Sequence, residues 1–126
     1  MTPAINSAKK AKIPYTVHSY NHDPTATSYG EEAAQKLGLD PQRVFKTLVA
    51  QTDDQALVVA VVPVATTLNL KQLARAMGAK RAEMADKAAV ERVTGYVIGG
   101  VSPLGQKRRL TTVIDSSAEH FPTIFV

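Results

Sequence analysis

Residues 56–62 read Ala-Leu-Val-Val-Ala-Val-Val and form the longest uninterrupted apolar run of the chain. Because successive side chains of a strand point to opposite faces, an apolar residue at every position requires cover on both faces. The run is far too short to cross a membrane. We therefore predict a central β-strand, ended by Pro63, in a sheet that is packed on both sides.

The segments around this run predict one α+β domain over residues 1–126. Residues 43–51 read as a strand that forms a hairpin with the apolar run through the polar turn at 52–55. Further strands are predicted at residues 15–20, 96–98, 110–114 and 123–126. Helices are predicted after the capping residues Thr2, Ser28 (with Glu31 as its capping-box partner), Asn69 and Asp86. Hairpins mixed with short helices favour a curved, mixed and largely antiparallel sheet, or a partial barrel, over a doubly wound parallel sheet.

The residue inventory excludes several kinds of chemistry. No cysteine occurs among the 126 residues, which excludes disulfides, thiolate zinc sites and a cysteine nucleophile within them. The histidines, His18, His22 and His120, fit no metal-ligand spacing, and His22 reads as a turn residue. Glu31 and Glu32 suit the first turn of a helix better than an acid and base pair. We expect no metal, no cofactor, no membrane segment and a cytoplasmic location.

The excess positive charge lies in the second half of the chain. The formal net charge is +4, with six basic and six acidic residues before residue 60 and nine basic against five acidic residues after it. The basic residues include the run Lys107, Arg108 and Arg109. This asymmetry indicates an anionic partner.

Lys46 is the first candidate site residue. Strand alternation places it on the same face as Val44, Leu48 and Ala50, so its side chain would lie along an apolar face. A lysine in that position extends its amine to the rim of the sheet, binds an anion or has a lowered pKa. Alternation alone favours the first alternative, a structural lysine.

The glycine-rich segment 99–105 is the second candidate, with three glycines and one proline in seven residues. Gly100 and Gly105 have the spacing of a phosphate-binding loop, but such a loop requires lysine directly after the second glycine and a helix after that. Gln106 and a predicted strand follow here, which excludes this motif. The composition supports a loop whose backbone approaches a ligand and offers N–H donors, and a plain wide turn is the alternative.

Four stretches of the sequence resemble one known family, the YbaK branch of the YbaK/prolyl-tRNA synthetase editing domains. They are Leu37-Gly38, Val44-Phe45-Lys46-Thr47-Leu48, Met84-Ala85-Asp86 and the segment 94–107, TGYVIGGVSPLGQK. The resemblance runs collinearly over residues 2–126 and implies a single-domain deacylase that acts in trans on cysteinyl-tRNA(Pro). Family members continue past residues 123–126 into a glycine-bearing turn and a further strand, so we expect the domain to lack its last strands here.

The resemblance also implies roles for both candidates and their neighbours. The catalytic-site lysine of the family corresponds to Lys46. The residues that correspond to the ligand loop are Gly99, Gly100, Val101, Ser102 and Pro103. Those that correspond to the lining of the aminoacyl pocket are Tyr20, Tyr29 and Thr47. The basic run Lys107, Arg108 and Arg109 would contact the tRNA backbone.

The sequence supplies no clear protein nucleophile, and the resemblance implies that the thiol of the cysteinyl ester attacks its own carbonyl. Lys46 would then neutralise a phosphate or the reacting oxygen, and the loop would orient the aminoacyl group. The expected partners are the acceptor end of aminoacyl-tRNA and prolyl-tRNA synthetase. The alternatives are an alanyl-tRNA(Pro) deacylase of the same fold and a non-catalytic tRNA-binding module of a synthetase complex.

Overall fold

The computed structural model describes residues 2–26 and 28–126, and these form an open, four-stranded mixed sheet with helices around it. The strands are β1 (Phe45–Thr52), β2 (Leu57–Pro63), β3 (Ala82–Met84) and β4 (Thr111–Ile114), in the order β3-β1-β2-β4. The strands β2 and β3 pair antiparallel with β1, whereas β4 pairs parallel with β2. The helices are α1 (Pro3–Lys10), α2 (Tyr29–Leu37), α3 (Leu70–Ala76) and α4 (Lys87–Thr94), followed by a short 3-10 helix at Ser116–His120. The predicted α+β class is confirmed, and the sheet is open rather than closed into a barrel.

The strand β2 is the central strand that the apolar run predicts. Val59 and Val61 pack with α4 on one face, and Val58 and Ala60 pack with α3 on the other. All four side chains are almost completely buried. Because burying one valine contributes about 1.5–3 kcal/mol, this strand is a main source of the stability of the domain.

Side-chain caps define the start of most helices. Thr2, Asn69 and Asp86 each accept a hydrogen bond from the backbone N–H three residues ahead, as predicted. The helix α2 differs, because it begins two residues earlier than predicted and Ser28 makes no side-chain cap bond. The predicted capping box between Ser28 and Glu31 is therefore wrong.

Two of the predicted strands are absent. Residues 15–20 carry no regular secondary structure and are mostly exposed. Residues 96–98 belong to a loop in which the N–H of Gly100 donates to the carbonyl of Val97. Both segments have the β-branched and aromatic residues of strands, but this preference yields a strand only where a neighbouring edge can pair with it.

The sheet differs from the prediction at two further places. Residues 123–126 form only an isolated parallel bridge, between Phe125 and Val44, rather than a full strand. The short strand β3 was not predicted, because three residues are too few for an alternating pattern to indicate a strand. Its pairing is assisted by Asp53, whose carboxylate accepts the N–H groups of Lys80 and Arg81 at 3.0 and 3.1 Å.

Candidate functional site

The first turn of α2 lies between the two candidate elements, Lys46 and the glycine-rich loop. A Cβ atom built on Gly30 would lie 2.4 Å from Cγ1 of Val64 and 3.9 Å from Cβ of Lys46, so α2 crosses directly over β1 and the end of β2. A Cβ atom built on Gly99 would lie 2.8 Å from Cε2 of Tyr29. Two consecutive residues of α2 thus approach Lys46 and the loop, which are far apart in sequence.

Lys46 occupies a gap between two apolar clusters on one face of the sheet. Val44 packs with α2 on one side of it, and Ala50 packs with α3 on the other. The lysine is half-buried and lies opposite Val62 of β2. Within residues 2–26 and 28–126, its amine has no hydrogen-bond or ion-pair partner, so this cation is available to an anionic ligand.

The loop from residue 96 to residue 106 is fixed by its own side chains. The hydroxyl of Tyr96 donates to the carbonyl of Leu104 at 2.7 Å, and the Ser102 hydroxyl accepts the N–H of Leu104 at 3.1 Å. The Gln106 amide donates to the Ser102 carbonyl at 3.0 Å. Burial raises the pKa of Tyr96, so its phenol keeps its proton at neutral pH. These contacts give the segment a defined conformation.

Gly99 and Gly105 tie this loop to its surroundings. Both have positive φ, +87° and +68°, a conformation that favours glycine. A Cβ atom on Gly105 would lie 2.4 Å from the carbonyl oxygen of Pro3, so the start of α1 packs on the loop without intervening side-chain atoms. The loop is therefore held by Tyr29 at one end and by α1 at the other.

The remaining predicted loop residues differ in what they offer a ligand. Val101 is half-buried and packs against the cluster that contains Phe45 and Val49, so its side chain contributes to the core. Pro103 is half-buried, and Gly100 is exposed. The Ser102 hydroxyl is engaged within the loop, where it accepts the N–H of Leu104.

The predicted pocket residues Tyr20 and Tyr29 lie together. The hydroxyl of Tyr20 donates a long hydrogen bond of 3.5 Å to the carbonyl of Tyr29. Partial burial, and then the Glu32 carboxylate, raise the pKa of Tyr20, which keeps its hydroxyl a donor at neutral pH. Thr47 is half-buried on β1 opposite Val61, and strand alternation places its side chain on the other face of the sheet from Lys46.

Sequence reasoning missed the pair His22 and Glu32. Glu32 is buried, and its Oε1 lies 2.6 Å from Nδ1 of His22, while its Oε2 accepts the N–H of Asp23 at 2.7 Å. The amine of Lys36 lies 3.4 Å from the same Oε2. The His22 hydrogen bond, followed by that of Asp23, lowers the pKa of Glu32 against the opposing effect of desolvation.

The same histidine stacks on the ring of Tyr29, with ring centroids 4.7 Å apart and an angle of 22° between the planes. The interpretation of Glu32 as a helix-terminal charge and of His22 as a turn residue is therefore incomplete. The available sequence signal was a His-Asp turn close to a helix that starts with two glutamates. That signal does not reveal which glutamate faces inward.

The basic run follows the loop directly. The backbone N–H groups of Lys107 and Arg108 donate to the carbonyls of Thr94 and Val93 at 2.9 Å, which anchors the run to the end of α4. The side chains of Lys107, Arg108 and Arg109 are exposed. A fixed backbone with exposed cations suits the binding of a polyanion.

The described residues provide neither a metal cluster nor a membrane helix. Across residues 2–26 and 28–126, no three His, Cys, Asp or Glu side chains are grouped so as to hold a metal ion. No helix in this part of the chain has the length and apolar character needed to cross a membrane.

Comparison with known proteins identifies relatives over nearly the whole chain. The chain is 36% identical over 125 residues to EbsC of Enterococcus faecalis, to which Cys-tRNA(Pro)/Cys-tRNA(Cys) deacylase activity is assigned by name, and it covers 76% of that protein. It is also 37% identical over 75 residues to the proline–tRNA ligase of Desulforamulus reducens, of which it covers 13%.

Solved structures give a consistent result. A structure described as a trans-editing enzyme for prolyl tRNA synthetase matches with a TM-score of 0.70 and 28% identity over 80% of this chain, which spans 63% of that structure. The structure of the protein APE2540 matches with a TM-score of 0.77 at 24% identity, which supports the fold alone.

The sequence profile of the aminoacyl-tRNA editing domain matches residues 22–126, a range that contains the complete α2, β1 and glycine-rich loop described above. The chain belongs to the aminoacyl-tRNA editing domain family.

Proposed function

We propose that this chain is a trans-editing deacylase that hydrolyses mischarged Cys-tRNA(Pro), with the cysteinyl thiol of the substrate as the nucleophile. The observation that supports the proposal is that consecutive residues of α2 approach both candidate elements, Gly30 near Lys46 and Tyr29 near Gly99. Aminoacyl-tRNA deacylation itself follows from the family and from the relationship to the enterococcal deacylase over nearly the whole chain. The identity of the amino acid, cysteine, is what the proposal adds to that activity.

The cysteinyl ester can supply the nucleophile that the site lacks. The Ser102 hydroxyl accepts the N–H of Leu104 and is hydrogen-bonded to the Tyr96 hydroxyl, and within the described residues no hydrogen bond joins it to a histidine. His22 is engaged by Glu32 through Nδ1. A serine without a general base is a poor nucleophile, so attack by the thiol of the substrate is favoured.

In the proposed reaction, the cysteinyl sulfur bonds to its own carbonyl carbon and the ester bond to the ribose oxygen breaks. The thiol proton is released, the ribose oxygen takes up a proton, and a strained four-membered cyclic thioester leaves the tRNA. Water then opens that ring to give free cysteine. Holding a nucleophile beside its electrophile can reach effective molarities of about 10⁵–10⁸ M, and this gain must exceed the strain of the four-membered ring.

Lys46 and the loop have separate roles in this reaction. The amine of Lys46 would stabilise negative charge, either on a phosphate of the acceptor end or on the reacting oxygen. At an effective dielectric constant of about 20, an ion pair at about 4 Å gains about 4 kcal/mol. The loop backbone from Gly99 to Pro103 would orient the aminoacyl group and its adenosine, and Tyr20, Tyr29 and Thr47 would line the pocket.

The partner in this proposal is the acceptor end of tRNA, whose phosphates would contact Lys107, Arg108 and Arg109. The similarity to parts of proline–tRNA ligases supports an association with prolyl-tRNA synthetase, through which a small domain could obtain the correct tRNA. A cytoplasmic location is part of the same proposal.

Deacylation under multiple-turnover conditions tests the function. Cys-tRNA(Pro), Ala-tRNA(Pro) and Ser-tRNA(Pro) are each incubated with the wild-type chain, with Lys46→Met and with the exposed control Lys71→Met. We expect catalytic release of cysteine far faster than of alanine or serine, lost in Lys46→Met and retained in the control. Faster release of alanine would identify an alanyl-tRNA(Pro) deacylase, and tight tRNA binding without turnover would identify a non-catalytic module.

A further inference from the structure

The side chains behind Tyr29 form a connected series that ends at the ligand loop. Glu32 is buried in the first turn of α2, and its Oε1 lies 2.6 Å from Nδ1 of His22. The His22 ring stacks on Tyr29 at 4.7 Å, and the edge of the Tyr29 ring contacts Gly99. Each member thus restrains the next, from a buried carboxylate to the backbone of the loop.

The arrangement restrains the Tyr29 ring on more than one side. Tyr29 is 45% exposed, so α2 alone does not immobilise its side chain. One ring face is covered by His22, and the ring edge lies against Gly99. A near-parallel stack at this distance is a favourable geometry for aromatic rings. The stack therefore determines how closely Tyr29 approaches the loop.

We propose that His22 is a positioning residue, held by Glu32, that fixes Tyr29 against Gly99 and so sets the geometry of the ligand loop. The role is distinct from catalysis, because His22 acts on the substrate only through Tyr29. The kinetic consequence rests on the proposed function, whereas the structural consequence at Gly99 does not.

Two substitutions separate the two contacts of His22. His22→Asn keeps a nitrogen that can donate to Glu32 but removes the ring that stacks on Tyr29. His22→Phe keeps a ring but removes the hydrogen bond to the buried carboxylate. The control is His120→Asn, at an exposed residue of the 3-10 helix that is outside the site.

The first readout is the NMR resonance of the Gly99 α-protons, which the current of the Tyr29 ring shifts while that ring lies against them. In His22→Asn the chemical shift should move toward the value of an unstructured glycine, whereas in His22→Phe and His120→Asn it should stay near that of the wild type.

The second readout is kcat/KM for Cys-tRNA(Pro). It should fall about 10-fold in His22→Asn and less than about threefold in His22→Phe, because displacements of about 1 Å can cost 10²-fold in rate. Urea unfolding should show the opposite order, with His22→Phe the less stable of the two because it leaves the Glu32 carboxylate short of a partner.

Retention of the wild-type Gly99 shift in His22→Asn would overturn the proposal. So would a loss of kcat/KM that follows stability in both variants, since that is the signature of a merely structural residue. If the wild-type chain deacylates no ester, the proposed function fails, and the Gly99 resonance still decides the positioning role.

Discussion

Replacing Gly99 by alanine tests the contact that links α2 to the glycine-rich loop. The new Cβ atom would lie 2.8 Å from Cε2 and 2.9 Å from Cδ2 of Tyr29, where 3.4 Å is the start of ordinary contact. The Tyr29 ring must therefore retreat by about 0.6 Å, and overpacking of this kind costs about 1–3 kcal/mol. Alanine at a φ of +87° costs roughly a further 1–2 kcal/mol in backbone strain.

Because Tyr29 is partly exposed and can move, we take the lower end for overpacking and expect a total loss of about 2–3 kcal/mol. Equilibrium unfolding in urea measures this loss. The control for stability is Gly100→Ala, whose Cβ atom would meet only Val97 at an ordinary distance of 3.6 Å. It should change the free energy of unfolding by less than about 1 kcal/mol.

A double-mutant cycle isolates the part of the loss that depends on the ring. In a Tyr29→Ser background, Gly99→Ala should cost only the backbone strain, so the coupling free energy between the two positions should be about 1 kcal/mol. A Gly99→Ala protein as stable as the wild type would refute this reasoning. A loss that is unchanged when the Tyr29 ring is absent would show that the contact with the loop is unimportant.

Four further predictions concern the rest of the site. Lys46→Met, which keeps the apolar stem, should lower kcat/KM for Cys-tRNA(Pro) by about 10²-fold with little change in urea stability, and an unchanged rate would return Lys46 to a structural role. Gly30→Ala should destabilise the domain by about 1–3 kcal/mol in urea, because its Cβ atom would lie 2.4 Å from Val64, and wild-type stability would contradict the close crossing of α2. Because the pKa of Glu32 is lowered by folding, its ionised form stabilises the domain above the pKa of the unfolded chain, and this contribution is lost as the pH falls through the folded pKa. In Glu32→Gln the stability should therefore depend less steeply on pH in acid, as measured by acid unfolding followed by circular dichroism. An identical acid transition in the variant and the wild type would argue against the His22 bond. Replacing Lys107, Arg108 and Arg109 by alanine should make the dependence of log affinity for tRNA on log salt concentration less steep, by up to about 2–3 in slope. An unchanged slope would mean that the RNA backbone binds to another part of the surface.

The parts of the fold that were predictable are those with strong local signals. The run at 56–62 predicts a central strand because its apolar character at every position allows few other environments, and β2 is buried on both faces. The caps Asn69 and Asp86 predict the starts of α3 and α4 because side-chain bonds to free N–H groups are local interactions. These signals need no knowledge of distant parts of the chain.

The errors arose where long-range pairing decides the outcome. Residues 15–20 have the composition of a strand but no pairing partner in the described structure, whereas β3 becomes a strand because Asp53 and β1 provide an edge for it. Propensity gives the preference for extended backbone, and tertiary contacts select which segments pair.

The candidate site likewise has residues that local signals could predict and contacts that they could not. Lys46 and the glycine loop were candidates from residue type and family resemblance, but the approach of α2 to each of them depends on Gly30 and Gly99 lacking a Cβ atom. The burial of Glu32 and its bond to His22 depend on the path of residues 21–23, which no local pattern specifies.

The most direct test of the proposed chemistry compares two esters on the same tRNA(Pro), one of cysteine and one of 2-aminobutyrate, which carries a methyl group in place of the thiol. A pocket can discriminate one small group by only about 10–200-fold, whereas a positioned thiol nucleophile gains far more. We predict that cysteine is released at least about 10³-fold faster than 2-aminobutyrate. Equal rates of release for the two esters would contradict attack by the substrate thiol.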